Sequence, residues 1–512
     1  MDHILEGIPI STLPRCFRDA VFLAHKFGVR YLWIDSLCIK QDSEEDWGRE
    51  APRMKDVYGG AVVNIVAGHS TGPEDSLFHT KDRLFAQSAI IRSEWQYTRS
   101  SDNIIWNHTN IKQDFESAPL TRRGWVFQEL MLAPRTLQFG KTQVYWRCSK
   151  LFACESLPHG ASSPEGEAVT YGTDLKELKV ATFYGPGYVA WLWKDILVKY
   201  SRCKLTFCKD KLVALSGIAE RFQEFTADRY CAGLWWSSMI ESLSWRRDSW
   251  ARKPAKPRPE YCAPTWSWAS IDEPMDFRDH GPVYQGTFWS LELADAVDAH
   301  LIVPRDGDRA EQVKDAIRIR GSLHSFVILF DGDEGLHCKI DGETRARGDQ
   351  FTPDIALQSP ENTELWILPT LLRSLASRTG SHLFPEEDLV LEGLVLMKSE
   401  DLSEDRDPTG TSRDGESYKR VGHFRSGKMT VGMKDKAFKI QTFEEESEDE
   451  IFDEQSFFER VGAGEDDANG DGPEEGKVEE EEPDWNDYED VPTGRYFKLR
   501  RRRGAWTEIE IV

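Results

Sequence analysis

Apolar residues between Ser11 and Gly28 fall at helical spacing. Phe17, Val21, Ala24 and Phe27 would share one face, with Ser11 or Thr12 as cap, Pro14 in the first turn and Gly28 ending the pattern. VRYLWID (29–35) is rich in β-branched and aromatic residues and predicts a strand ending at Asp35. The polar stretch DSEEDWGRE leads into a second helix through Met54, Val57 and Tyr58, with Pro52 in its first turn. AVVNIVA (61–67) predicts a strand buried on both faces, and SAIIR (88–92) a third. Residues 119–133 predict a helix stopped by Pro134, followed by strands RTLQF and QVYWRC. Helix and strand in alternation argue for an α/β sheet with a substantial parallel part.

Residues 174–250 are tryptophan-rich and predict mainly helix; Pro254, Pro257 and Pro259 end that pattern, and APTWSWASID follows as an extended segment. From 283 to 440 short alternating runs such as AIRIRGSL and LVLEGLVLM predict antiparallel strands. RYFKLRRRRGAWTEIEIV predicts a terminal hairpin.

Charge changes the picture in one place. The net charge is -24, but 23 acidic residues against only Arg460 and Lys477 lie between Glu444 and Asp490. The rest of the chain is near neutral, so the acidity marks one segment, expected to be disordered, and no basic nucleic-acid face is advertised. With 512 residues the chain has room for about three domains. No apolar run approaches the roughly 20 residues of a membrane-spanning helix. The N-terminus lacks the pattern of a secretory signal. The nine cysteines (16, 38, 148, 154, 203, 208, 231, 262 and 338) form no CxxC pair and predict free, mostly buried thiols in a reducing cytosol.

Three places carry candidate chemistry. Asp35 ends a predicted strand, where open α/β sheets bind ligands; the plainer alternative is that it accepts backbone hydrogen bonds in the next turn. On a helix, Trp125, Gln128, Glu129 and Leu132 share a face, which carries Glu129 to the edge of the core. There a carboxylate beside Arg122 or Arg123 would be held ionised and could stabilise an oxocarbenium ion, or simply form a structural ion pair. Asp46 and Glu50, flanking Trp47, could meet on one helical turn or be a solvated helix start. The phosphate-loop, GxGxxG, GxSxG and HExxH patterns are absent, and His25, His69, His79 and His108 have no metal spacing. The basic cluster at 498–503 (KLRRRR) is read as a solvated hairpin tip rather than a nucleic-acid patch.

YLWIDSLCIKQDSEEDWGREAPRMKDVYGGAVVNIVA (31–67) and RRGWVFQELMLAPRTLQFGKTQVYWRCS (122–149) resemble the two main blocks of the fungal heterokaryon-incompatibility (HET) domain family. DKLVALSGIAERF, YCAGLWW and APTWSWASID resemble stretches downstream in the same proteins, so the likeness covers about residues 7–272. The family usually opens with an LSYxWG strand before the GIxxLPxT helix. That strand is missing ahead of GIPISTLPRC, so the resemblance implies an N-terminally truncated domain. It further implies cytoplasmic allorecognition and programmed cell death, with an unidentified protein partner, a homo-oligomer as one assembly, and neither nucleic acid nor membrane span.

The family is distantly similar to TIR domains, some of which cleave NAD. The implied fold is α/β, with a flavodoxin/TIR-like open, largely parallel sheet, then a helical Trp-rich region and a β-rich C-terminal region. WVFQE places Trp125 and Glu129 at the spacing of the TIR tryptophan-glutamate pattern. The implied site has Glu129 and Asp35 as catalytic residues, with Trp125, Arg122, Arg123 and Glu50 holding NAD. No metal is expected, and NAD would be substrate rather than cofactor. Competing expectations are a non-catalytic signalling or oligomerisation module and an inactive relic. The expected organisation is a HET domain over 1–150, a helical extension over 151–272, a β-rich accessory region over 273–443, the acidic segment over 444–490 and the hairpin over 491–512.

Overall fold

The computed structural model describes residues 7–81, 89–93, 101–105, 114, 118–148, 150–161, 178, 186–248, 261–277, 290–300, 316–331, 335–340, 343–344, 350–356, 363–375, 388–399, 417–426, 438–442, 488–491, 497–502 and 507–511. The first helix, α1 (Arg15–Lys26), starts from Pro14 at its cap, and Gly28, at φ +67°, turns the chain out of it. Residues 29–34 then run without secondary structure and without a sheet partner, so the strand expected there is not formed. Asp35 instead opens the single-turn α2 (Asp35–Cys38). Ser43 caps α3 (Glu44–Glu50) by accepting from the Asp46 amide, and Pro52 lies in a 3-10 turn leading into α4 (Met54–Gly60).

A five-stranded sheet follows. Strand β1 (Asn64–Val66) is shorter and less buried than its apolar sequence suggested. Strands β2 (Ala89–Ser93) and β3 (Ser101–Ile105) form a separate hairpin rather than joining it. Beside β1 lie β4 (Arg135–Phe139), β5 (Val144–Cys148), β6 (Phe152–Cys154) and β7 (Leu157–Ala161), in that order. Only β1 and β4 run parallel; every other pair in this sheet is antiparallel, which corrects the expectation of a largely parallel sheet. The short connections between β4, β5, β6 and β7 force this, because a parallel step needs a crossover of a dozen or more residues.

Helices cover both faces of that sheet. Ile65, Leu137 and Phe139 cluster with Ala20 and Leu23 of α1. Val66 faces the other way, against Val126 and Leu130 of α5 (Gly124–Leu132), as the two-residue period of a strand requires. Buried Arg147 reaches from β5 to the Leu130 carbonyl at 3.0 Å and fixes α5 over the sheet.

Helices α6 (Pro186–Ser201) and α7 (Asp210–Thr226) pack on the far side of α5. The side-chain carbonyl of fully buried Gln128 accepts from the Gly217 amide at 2.8 Å. At Gly217 a Cβ would come within 2.8 Å of that oxygen, so the two helices meet there without a side chain between them. Trp193, Trp245, Trp266 and Trp268 are fully buried. The indoles of Trp193 and Trp268 both donate to the Gly233 carbonyl, and that of Trp245 to the Trp266 carbonyl.

The same core runs on through Ile317, Leu368, Leu394 and Ile509 of an eleven-stranded sheet, so helical and strand-rich segments are packed around one interior. That sheet is antiparallel except where Ser417–Arg425 meets Thr507–Ile511.

Two more expectations are corrected. The C-terminal strands do not pair with each other: Phe497–Arg502 lies between Phe438–Thr442 and Tyr488–Val491, while Thr507–Ile511 joins the large sheet beside Ala316–Gly321. The basic cluster is therefore mostly strand, not a hairpin tip. The expected disorder of 444–490 lies outside the described residues, apart from 488–490 in that strand. The thiols are also not all free, since Cys208 and Cys262 form a disulfide with Cα atoms 5.5 Å apart. Among the described residues no helix is long and apolar enough to cross a membrane, and no three His, Cys, Asp or Glu gather to hold a metal ion.

Candidate functional site

Glu129 sits on α5 with Val126 and Leu130 turned to the sheet and Phe127 and Met131 turned to the tryptophan core. Its own side chain is left half-buried between those two contacts. The side-chain amide of Asn64, at the start of β1, donates to the Glu129 backbone carbonyl at 3.4 Å, which places that end of the strand beside the helix. On α4, Met54 is buried and Tyr58, one turn on, packs partly against the tryptophan core, which brings its hydroxyl to the Glu129 carboxyl so that each acts on the other's ionisation.

Two charged groups complete the cluster. Asp35, exposed on α2, lies close enough to oppose ionisation of both Tyr58 and Glu129. Its carboxylate also accepts from the Ser36 amide at 2.7 Å, the local role foreseen as the plainer alternative. Arg123, the residue at the start of α5, favours the charged form of Glu129. Burial outweighs it. The Glu129 carboxyl is pushed up to about 7, first by desolvation and further by Asp35, with the Tyr58 hydrogen bond and Arg123 opposing. This corrects the expectation of a carboxylate held ionised by a neighbouring guanidinium. The same burial, with Glu129 beside it, raises the Tyr58 hydroxyl well above the usual phenol range, so Tyr58 stays a donor.

Aromatic side chains stand around the group. The ring of Trp33 meets Tyr58 edge to face, with centroids 5.6 Å apart. Trp47 meets Trp125 in the same way at 6.1 Å, and the Trp125 indole helps to hold the Asp210 carboxyl down against the burial that raises it. Of the residues singled out in the sequence, Glu129, Asp35 and Arg123 come together, and Trp125 lies one helical turn from Glu129. Glu50 does not join them: it accepts from Arg49 at 3.1 Å and Arg53 at 3.3 Å. Asp46 pairs with the same Arg49 and accepts from the Lys40 amide, so it and Glu50 are linked through a cation rather than forming a carboxylate pair. Arg122 contributes its carbonyl to the Lys204 amide, and Arg123 alone of the two arginines acts on Glu129.

Sequence reasoning missed Tyr58, Trp33 and Asn64 as site residues. Tyr58 carried a signal, since it follows buried Met54 at i+4 on a helix. Trp33 was read as a strand residue.

A half-buried carboxyl that changes charge near neutrality, a neutral hydroxyl donor, a second carboxylate and aromatic walls suit a flat ligand carrying positive charge. No curated protein and no solved structure matches the chain. Residues 2–129 match the family model of the Heterokaryon incompatibility protein (HET), and that stretch contains Asp35, Tyr58, Arg123, Trp125 and, as its last residue, Glu129. Over that stretch the chain belongs to the heterokaryon-incompatibility family.

Proposed function

We propose that this heterokaryon-incompatibility protein acts in the cytoplasm in fungal allorecognition and cell death, by cleaving the bond between nicotinamide and ribose in NAD. Nicotinamide leaves with the bonding electron pair as a neutral molecule, so no general acid is required. Water adds to the anomeric carbon and gives up a proton, leaving ADP-ribose. Positive charge develops on the ribose during that step, and ionised Glu129 stabilises it while accepting hydrogen bonds from ribose hydroxyls. Tyr58 orients the carboxylate. Trp33 offers a wall for the nicotinamide ring, and Arg123 a donor for the pyrophosphate. TIR-like kinship is part of this reading.

The observation that carries it is the half-buried Glu129, shared by Tyr58 and Asp35 and poised between its two forms near pH 7. The test is incubation of the full chain with NAD and chromatographic measurement of nicotinamide and ADP-ribose. Wild type should release both, and Glu129→Gln neither, with the fold intact by circular dichroism. Equal release by the two proteins would reject the assignment.

The second reading, a non-catalytic signalling module, is favoured by a different observation. Phe22, Phe27 and Tyr31 are exposed on and just after α1, Tyr31 at 82%. Exposed aromatic side chains of this kind suit a protein partner or a second copy of the chain. No NAD loss from wild type, together with concentration-dependent assembly, would establish that reading instead.

A further inference from the structure

We propose that the Cys208–Cys262 disulfide is a redox-sensitive clamp on the start of the Glu129 helix, so that reduction by a dithiol loosens that end of the site. Its effect on turnover rests on the NAD-cleaving reading above; the clamp itself does not.

The loop joining α6 to α7 runs against the start of α5. The Gly124 amide donates to the Lys204 carbonyl at 2.9 Å, the Lys204 amide donates to the Arg122 carbonyl at 2.6 Å, and Arg123 and Lys204 form a parallel bridge. The Cys203 thiol adds a weak contact to the Thr121 carbonyl at 3.8 Å. Leu205 lies so close to Gly124 that a Cβ there would meet it at 2.7 Å. The bridged stretch contains Arg123, the cation that acts on Glu129.

The far end of this loop is held by the disulfide. Cys208 is bonded to Cys262, in the segment that leads to buried Trp266 and Trp268. Through Lys204 and Leu205 the loop thus touches the start of α5 at the residues on both sides of Arg123. Lys211 provides a second tie to the same segment, donating to the Ile271 carbonyl and pairing with Asp272 at 3.3 Å. That tie survives reduction and keeps α7 in place. Cutting the disulfide therefore frees the loop between residues 203 and 209 without releasing the helix behind it. Loss of order should be local, at the element that seats Arg123 and Trp125.

In the chemical step a thiolate of the reductant attacks one sulfur, most readily Cys262, the less buried of the two. The S–S bond breaks and a mixed disulfide forms. The reductant's second thiol then displaces the protein sulfur. Two electrons and two protons pass to the cysteines, and the reductant closes to its own disulfide.

The test is hydrogen exchange on the full chain, oxidised and treated with dithiothreitol, with intact mass showing that both thiols are free. Amides in 121–125 and 203–206 should exchange on the order of tenfold faster after reduction, while those of β4, β5 and residues 214–222 keep their rates. The double variant Cys208→Ser/Cys262→Ser should show the fast pattern without reductant. Unchanged exchange at 121–125 with both thiols free would overturn the proposal. So would uniform acceleration that includes the sheet, which would make the bond a general staple. Where NAD is cleaved, the rate should differ between oxidised and reduced wild type and not respond to reductant in the double variant. A local exchange change with no cleavage in either state would retain the clamp and reject the NAD reading.

Discussion

Glu129→Gln is expected to make the chain more stable above pH 7 while removing NAD cleavage. The sign follows from the direction of the shift. Glu129 titrates at 4.5 when unfolded and near 7 when folded, so the folded state holds its proton more tightly. The stability this gives is complete below the unfolded value and is lost as pH rises through about 7. Above that pH the folded chain carries a half-buried charge that glutamine does not have, while glutamine still accepts from Tyr58. A shift from 4.5 to about 7 corresponds to at most about 3 kcal/mol at 1.36 kcal/mol per pH unit, less whatever solvent reaches the half-buried group. Urea denaturation at about pH 5 and about pH 8 should show the variant near wild type in acid and clearly more stable in base. A structural ion pair would behave in the opposite way, with the variant less stable at the higher pH. Stability given up at one position for chemistry is common at active sites.

The largest loss of stability is expected far from that group, at Arg420. Its side chain is fully buried and lies 3.5 Å from the centroid of the Trp245 ring. It donates to Asp354 at 2.8 Å and to the carbonyls of Leu243 and Trp245, while its own amide donates to the Thr265 hydroxyl at 3.0 Å. One guanidinium thus ties the strand Ser417–Arg425 of the large sheet to the tryptophan segments. Arg420→Met leaves Asp354 buried without its cation and two carbonyls without donors, a loss of about 3–5 kcal/mol. Lysine should not rescue it, because a single ammonium cannot reproduce the planar fork. Arg420→Met/Asp354→Leu should recover part of the loss in denaturant titrations. A double variant as unstable as the sum of the two single changes would show that the pair is not coupled.

Local signals read from the sequence survived wherever local physics decides the outcome. The helix over 15–26 and the α5 face of Trp125, Gln128, Glu129 and Leu132 are present, although α1 buries Ala20, Leu23 and Ala24 and leaves Phe27, one of the expected face residues, exposed. The misreadings involve partners distant in the chain. VRYLWID has strand composition, yet a strand exists only if another lies beside it, and none of the described residues does. TEIEI at 507–511 alternates like half of a hairpin, but its isoleucines are matched by AIRIRG almost two hundred residues earlier: Ile511 lies opposite Ile317, and Ile509 opposite Ile319. Cys208 and Cys262 are 54 residues apart, and no spacing rule links them. The site was half legible. Helical spacing singled out Glu129, but its burial and the approach of Asp35 from another element outweigh Arg123 and Tyr58, and that reversed the expected direction of its titration.

The pH dependence of nicotinamide release by the wild-type chain is the most direct measurement. If ionised Glu129 stabilises the transition state, kcat/KM should rise from about pH 5 to about pH 8 with an apparent pKa near 7. Glu129→Gln should show no such rise. A rate that is flat across that range, or the same profile in both proteins, would contradict a catalytic Glu129.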